Sequence, residues 1–246
     1  YEIYQCDWSS DVCSSDLIPV FHDDQHGTAV VVLAALRNAL KLVKKDLATT
    51  TIVLSGAGAA GTAIARLLVL AGAKNIIGFD SSGVINKKST ANNEMRKWFV
   101  EHCNPGQFEG TLSQALKGAD VFIGVSAPNI VSEADVESMA KDSIVFALAN
   151  PDPEIDPVLA RKHAAVVATG RSDQPNQINN VLAFPGIFRG LLDAGASKIT
   201  DALLVACADA IASCVSESQL NASFIVPSVF DPNVVKAVAD AVKRCS

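Results

Sequence analysis

An α/β fold, a doubly wound parallel sheet with flanking helices, is what this sequence predicts, and three observations predict it. Apolar runs of strand length recur with helical patterns between them: Thr51–Ser55, Asn75–Phe79, Asp120–Val125, Ile144–Leu148 and Ala164–Ala168. The first run enters a glycine-spaced turn, Gly56-Ala-Gly-Ala-Ala-Gly61, and leaves it as an alanine-rich amphipathic pattern, so it reads as strand, tight turn, helix. The second run ends at Asp80, 19 residues beyond Gly61, the spacing that a Rossmann-type unit keeps between its glycines and the carboxylate after its second strand.

Taken in order, the chain opens on 17 residues that match neither a helical nor a strand period and hold both tyrosines and one of the two tryptophans. Residues 9–17 resemble translated adapter read-through, and the segment has neither the basic start nor the apolar centre of a signal peptide, so the fold is expected within residues 18–246. Ile18–Phe21 reads as a short strand-like entry, and His22–Thr28 as a polar cluster. Ala29–Leu47 has apolar residues at helical spacing and closes with Lys41, Lys44 and Lys45, where cations favour the negative end of the helix dipole. Beyond Asp80, residues 81–83 form a loop, and the polar run Asn86–Asn93 leads into a helix through Met95, Trp98 and Phe99. Gly110–Leu116 contains a short helix, and Ser132 followed by Asp135 is a capped helix start. Thr200–Val215 and Pro232–Lys243 are amphipathic helices expected to pack back on the sheet, with Pro227 and Pro232 bounding a linker.

The glycine turn points to a dinucleotide. Gly56 allows the sharp turn, Gly58 lets a pyrophosphate approach the backbone, and Gly61 lets the helix pack closely on its strand. Backbone amides of the turn, those of Ala57, Ala59 and Ala60 included, then face the phosphates together with the positive end of the helix. Asp80 accepts hydrogen bonds from the adenosine ribose and would repel a 2′-phosphate, which favours NAD over NADP; Lys87 and Lys88 read as a solvated pair. A glycine turn that serves packing alone is the plain alternative.

Ligands of open parallel sheets sit beyond the carboxyl ends of the strands, so Ser126, Asn150 and the turn Gly170–Asp173 should look into one crevice, although each is also an ordinary turn former. An amide-rich stretch follows, in which Asn179 and Asn180 are candidates for contact with a substrate or a nicotinamide. Asp23 and Asp24, with His22 and His26 nearby, are costly to bury unless a divalent cation such as magnesium or manganese pairs with them. The alternative is a solvated cap on the following helix.

With Phe21-His-Asp-Asp-Gln-His-Gly-Thr28, the glycine turn, Ala149-Asn-Pro151 and Asn179-Asn-Val-Leu-Ala-Phe-Pro-Gly186 in this order, residues 18–246 resemble a prokaryotic malic enzyme. The resemblance implies oxidative decarboxylation of (S)-malate to pyruvate and carbon dioxide with NAD or NADP and a magnesium or manganese ion. It implies Asp24 as a metal ligand, with Asp23 beside it and turned towards the catalytic lysine. Asn150 and Asn180 would contact malate and the nicotinamide end, while the glycine turn and Asp80 hold the rest of the cofactor. The family's catalytic lysine and tyrosine and an adjacent Glu-Asp pair would precede Ile18, and Tyr1 and Tyr4 lack that context. Residues 18–246 are therefore expected to be the NAD(P)-binding domain of a longer polypeptide that forms a homo-oligomer, binding dinucleotide but not turning malate over alone. A related amino-acid or hydroxy-acid dehydrogenase and a non-catalytic nucleotide-sensing module are the competing readings.

Composition sets the outer limits. With 246 residues and 49% hydrophobic content the chain can bury a core for one large or two small domains. A net charge of −6 without a long Lys/Arg cluster leaves no electrostatic footprint for a nucleic acid or an anionic membrane. The longest apolar run, Ala29–Leu36, falls short of the roughly 18 residues of a membrane span. Six scattered cysteines without C-x-x-C spacing suit a reducing compartment, and a cytoplasmic location is expected.

Overall fold

The computed structural model describes residues 20–91 and 93–245, so the expectations for the first 17 residues lie outside the described residues. The apolar runs form one six-stranded sheet: β1 (Thr51–Ser55), β2 (Asn75–Asp80), β3 (Gly83–Val84), β4 (Val121–Gly124), β5 (Ile144–Ala147) and β6 (Val166–Thr169). Their spatial order is β3-β2-β1-β4-β5-β6. Every neighbouring pair is parallel except β2 and β3, where Asp80 faces Gly83 and Phe79 faces Val84. The sequence does not announce β3, because Gly83 is the last residue of the expected loop and Val84 follows it alone, too short a run to read as a strand; Gly83 at φ +107° turns the chain tightly enough to pair.

Side chains alternate across the sheet. Ile52, Leu54, Ile123 and Phe146 enter the core on one face, and Val53, Phe122, Val145 and Val167 enter the core on the other. Burial on both faces explains why the runs are apolar throughout. The first face carries α1 (Thr28–Val43), α2 (Ala59–Leu70), α3 (Glu94–His102), α7 (Phe184–Ala194), α8 (Asp201–Ser213) and α9 (Pro232–Cys245). The second carries the short α4 (Leu112–Leu116), α5 (Glu133–Glu137) and α6 (Pro157–Ala160). Helices α4 and α5 each begin with a reciprocal cap, Thr111 with Gln114 and Ser132 with Asp135.

Two expectations need correction at the start of the chain. Val20 and Phe21 belong to no strand, and Phe21 instead sets its ring edge-on to Phe188 of α7, centroids 5.5 Å apart. The first helix ends at Val43 rather than Leu47, because Lys44 takes the left-handed conformation at φ +57°. Lys45 then leaves the helix to bond Asp120 Oδ1 at 2.8 Å and the Lys141 carbonyl at 2.6 Å, while Asp120 Oδ2 accepts the Thr51 N–H at 2.9 Å. This cluster fixes the lower end of α1 beside the starts of β1 and β4. A π-helical turn, Asp23–Gly27, precedes α1, and the resulting 21-residue segment is long and apolar enough to cross a membrane by length and composition. Here Val30–Ala35 are wholly buried, with α2 and α8 packed against α1, which accounts for that apolarity.

Near the other end of the chain α7 and α9 pack backbone to backbone. A Cβ at Gly186 would lie 2.5 Å from Val238 Cβ, and one at Gly190 would lie 2.5 Å from Val242 Cβ. The sequence shows α7 only as an apolar run, with Pro185 in its first turn, where a missing N–H costs nothing.

Candidate functional site

The turn between β1 and α2 is held from both sides: the Gly56 N–H donates to Phe79 O at 2.9 Å, and the Val125 N–H donates to Ser55 O at 2.9 Å. Gly56 sits at φ +110°, and a Cβ there would lie 2.6 Å from Val125 O. At Gly61 a Cβ would lie 1.7 Å from Gly56 O, so the helix start rests directly on the turn. Gly58 is different in kind: a Cβ there would meet no protein atom within 4 Å. The fold makes no steric demand for glycine at 58, because a side chain there would enter open space. No side chain caps the first turn of α2, so its leading amides are left for a partner outside the helix.

Strand order places the other candidates around this turn. Asp80 ends β2 on one side of β1; its Oδ1 accepts the Ser82 N–H at 2.8 Å and its Oδ2 pairs with the Arg96 guanidinium of α3. Arg96 offsets the negative charge on which the expected repulsion of a 2′-phosphate rests. Ser126 and Asn150 lie on the other side, beyond β4 and β5. Ser126 Oγ is 2.9 Å from Ser55 Oγ at the end of β1, and Asn150 is exposed and joined to Pro151 by a cis peptide. The turn after β6 closes on itself: Arg171 grips both oxygens of Asp173 at 2.8 and 2.7 Å and holds that carboxyl down at about 2.

Beneath the Ser126 and Asn150 loops lies Glu154, a residue that sequence reasoning passed over. Its side chain is fully buried, with Oε1 accepting the Ser126 N–H at 2.9 Å and Oε2 the Ala149 N–H at 3.0 Å. Burial pushes its carboxyl up from the ordinary value, and the two amides pull it partly back. In the sequence it is one more acid in a proline-rich loop, and only its apolar neighbour Ile155 hints at an inward course.

The Asp23 cluster is assembled over a long separation. Because Lys45, just past the end of α1, is tied to the start of β4 at the lower edge of the sheet and α1 runs about 24 Å for its 16 residues, its first turn stands at the carboxyl edge. There the Asp23–Gly27 turn packs against α2 and the short 3₁₀ turn Asn180–Leu182. Asn180 Nδ2 donates to Asp23 O and Asp23 Oδ2, both at 3.2 Å, and its Oδ1 accepts from Thr28 Oγ1 at 3.1 Å. His26 Nδ1 accepts the His22 N–H at 3.1 Å; burial, then the neighbouring His22, lower its pKa against an opposing pull from Asp201. Two further amides of the stretch serve the backbone. Asn179 Oδ1 caps Val181 N–H at 3.0 Å, while the buried Asn176 donates to Val167 O and Ala222 O and accepts from Ile225 N–H.

For a divalent cation the fit is partial. Asp23 Oδ1 is buried without a hydrogen-bond partner and Asp24 is exposed, which suits carboxylates offered to an ion. Among the described residues, however, no three His, Cys, Asp or Glu side chains converge, so a complete site needs ligands from outside them.

Comparison with known proteins gives this arrangement a context. Residues 25–246 match the family described as malic enzyme, NAD binding domain. The chain is 56% identical over 225 residues to the NAD-dependent malic enzyme of Geobacillus stearothermophilus, covering 92% of this chain and 47% of that protein. It is 44% identical to an NADP-dependent malic enzyme of Rhizobium meliloti, covering 93% of this chain and 32% of that protein. Among solved structures, the NAD-dependent malic enzyme of Thermotoga maritima superposes with a TM-score of 0.87 at 47% identity, covering 92% of this chain and 60% of that one. The chain thus spans about half the length, or less, of the curated relatives it matches.

Proposed function

Since the chain belongs to the malic enzyme family and forms its NAD-binding domain, we propose that it is the cofactor-holding part of an enzyme that oxidatively decarboxylates (S)-malate to pyruvate and carbon dioxide. The observation that carries this reading is the uncapped start of α2 behind Gly58, where backbone amides and the helix dipole offer a seat for a pyrophosphate and a Cβ on Gly58 would meet no protein atom within 4 Å. In this reading the turn Gly56–Gly61 orients the dinucleotide and Asp80 receives the adenosine ribose. Ser126 and Asn150 then face the nicotinamide half, and Asn180, locked against Asp23, faces the substrate side. Arg96 beside Asp80 supports acceptance of NADP as well as NAD, in keeping with relatives named for either cofactor.

Asp24 supplies one ligand to a magnesium or manganese ion whose other ligands lie outside the described residues, and Asp23 orients that segment through Asn180. The ion would contribute polarisation of the substrate's oxygens. The purified chain is expected to bind dinucleotide but not to turn malate over. Calorimetric titration with NAD, NADP and ADP tests this: micromolar to millimolar binding of ADP and of at least one dinucleotide is expected, and no heat from any of the three on folded material overturns it. A manganese-dependent rate of NAD reduction by malate would overturn the division of labour.

A further inference from the structure

Glu154 is the one charged side chain among the fully buried described residues, and no cationic side chain among them acts on it. A carboxylate in that setting is costly unless its oxygens are satisfied. Both are, by backbone amides of two different loops: Ser126 in the loop that leaves β4 and Ala149 in the loop that leaves β5. The two loops meet again where the Asn129 N–H donates to Pro153 O at 3.1 Å and the Val131 N–H donates to Glu154 O at 3.0 Å. Strand β4 leaves room for the acid at Gly124, where a Cβ would lie 2.3 Å from Glu154 Cδ. The geometry asks for a carboxylate and not merely for bulk, because both partners are donors. A glutamine would set its own NH2 against one of them.

The strand order decides which part of a ligand these loops meet. A dinucleotide with its pyrophosphate at Gly58 and its adenosine towards Asp80 on β2 must extend the other way across β1, over β4 and β5. Its nicotinamide half then falls on Ser126 and Asn150, the exposed residues whose loops Glu154 joins. We infer that Glu154 is a positioning residue for the nicotinamide half of the dinucleotide, holding the Ser126 and Asn150 loops in the one relative placement that half requires. The inference rests on the dinucleotide reading above.

The test separates the two halves of the ligand by titrating the chain and its Glu154→Gln variant with NAD and with ADP, which carries only the adenosine and pyrophosphate. The variant should lose about tenfold in affinity for NAD, the scale of one buried charge-assisted hydrogen bond, while its affinity for ADP stays within about twofold. Glu154→Asp keeps the charge and should recover part of the loss. Equal losses for both ligands, or no loss for either, overturn the inference. Should the wild-type chain bind neither ligand, the dinucleotide reading falls and takes this inference with it. If Glu154→Gln does not fold, amide exchange in the wild-type chain still decides: NAD should slow exchange at Ser126 and Ala149 beyond what ADP does, and equal protection overturns the inference.

Discussion

The glycine turn after β1 and the amide-rich stretch after β6 both lie at the carboxyl edge of the sheet, yet they are built on opposite principles. In the turn each glycine has a separate task that is fixed locally: Gly56 for its positive φ, Gly61 for its contact with the turn, and Gly58 for a side-chain position that no protein atom occupies. In the stretch, chemically identical amides do unlike things: Asn176 stitches β6 to the segment before α9, Asn179 caps its own turn, and Asn180 reaches Asp23, 157 residues away. A backbone motif carries its geometry in its spacing. A side-chain amide acquires its role from whichever distant partner the fold delivers.

That contrast can be broken or sharpened by substitution, in descending order of expected effect on stability. Gly61→Ala drives a methyl into Gly56 O and should cost about 3 kcal/mol or more in urea unfolding; a variant as stable as the parent would mean that the turn can yield. Asn176→Ala leaves the Ile225 N–H without its acceptor and two carbonyls without their donor, a loss of about 2–3 kcal/mol by the same measurement. Asn180→Ala, only half-buried, should cost about 1 kcal/mol, and faster amide exchange at Gly27 and Thr28 should report a loosened Asp23 turn. Gly58→Ala should change stability by less than about 0.5 kcal/mol, since the methyl meets no protein atom, yet weaken NAD binding tenfold or more if a pyrophosphate sits against that backbone as proposed. An affinity equal to the parent's would relocate the phosphates.

Glu154 adds a dependence on pH. Its folded-state pKa is raised by burial, so the folded chain binds the proton more tightly than the unfolded chain does, and stability falls as pH rises from about 4.5 through the raised value. The melting-temperature difference between the wild type and Glu154→Gln should therefore move in favour of the variant across that window. A difference that stays constant with pH would mean that the group is not perturbed.

Much of the fold was legible because its elements are announced by short-range chemistry. The five parallel strands fall within about two residues of the apolar runs, and the cap at Ser132 is spelled out within four positions. What was not legible depends on contacts that no local pattern encodes. The two-residue β3 exists through its pairing with β2, and α1 ends early at a left-handed Lys44, beyond which Lys45 pairs with the distant Asp120. The candidate site divides in the same way. The glycines and Asp80 could be read from spacing, whereas the Arg96 partner of Asp80, the Asn180 clamp on Asp23 and the buried Glu154 follow only from the packed arrangement.

The flush seating of α7 on α9 carries a practical corollary. Gly186 and Gly190 offer flat ground on which Val238 and Val242 stand, so the final helix is keyed to its neighbour by shape as well as by greasiness. An arbitrary amphipathic segment grafted in its place would lack that key, and a shortened derivative ending before Pro232 would strip α7 of the helix packed on its Gly186 and Gly190 and be prone to clump.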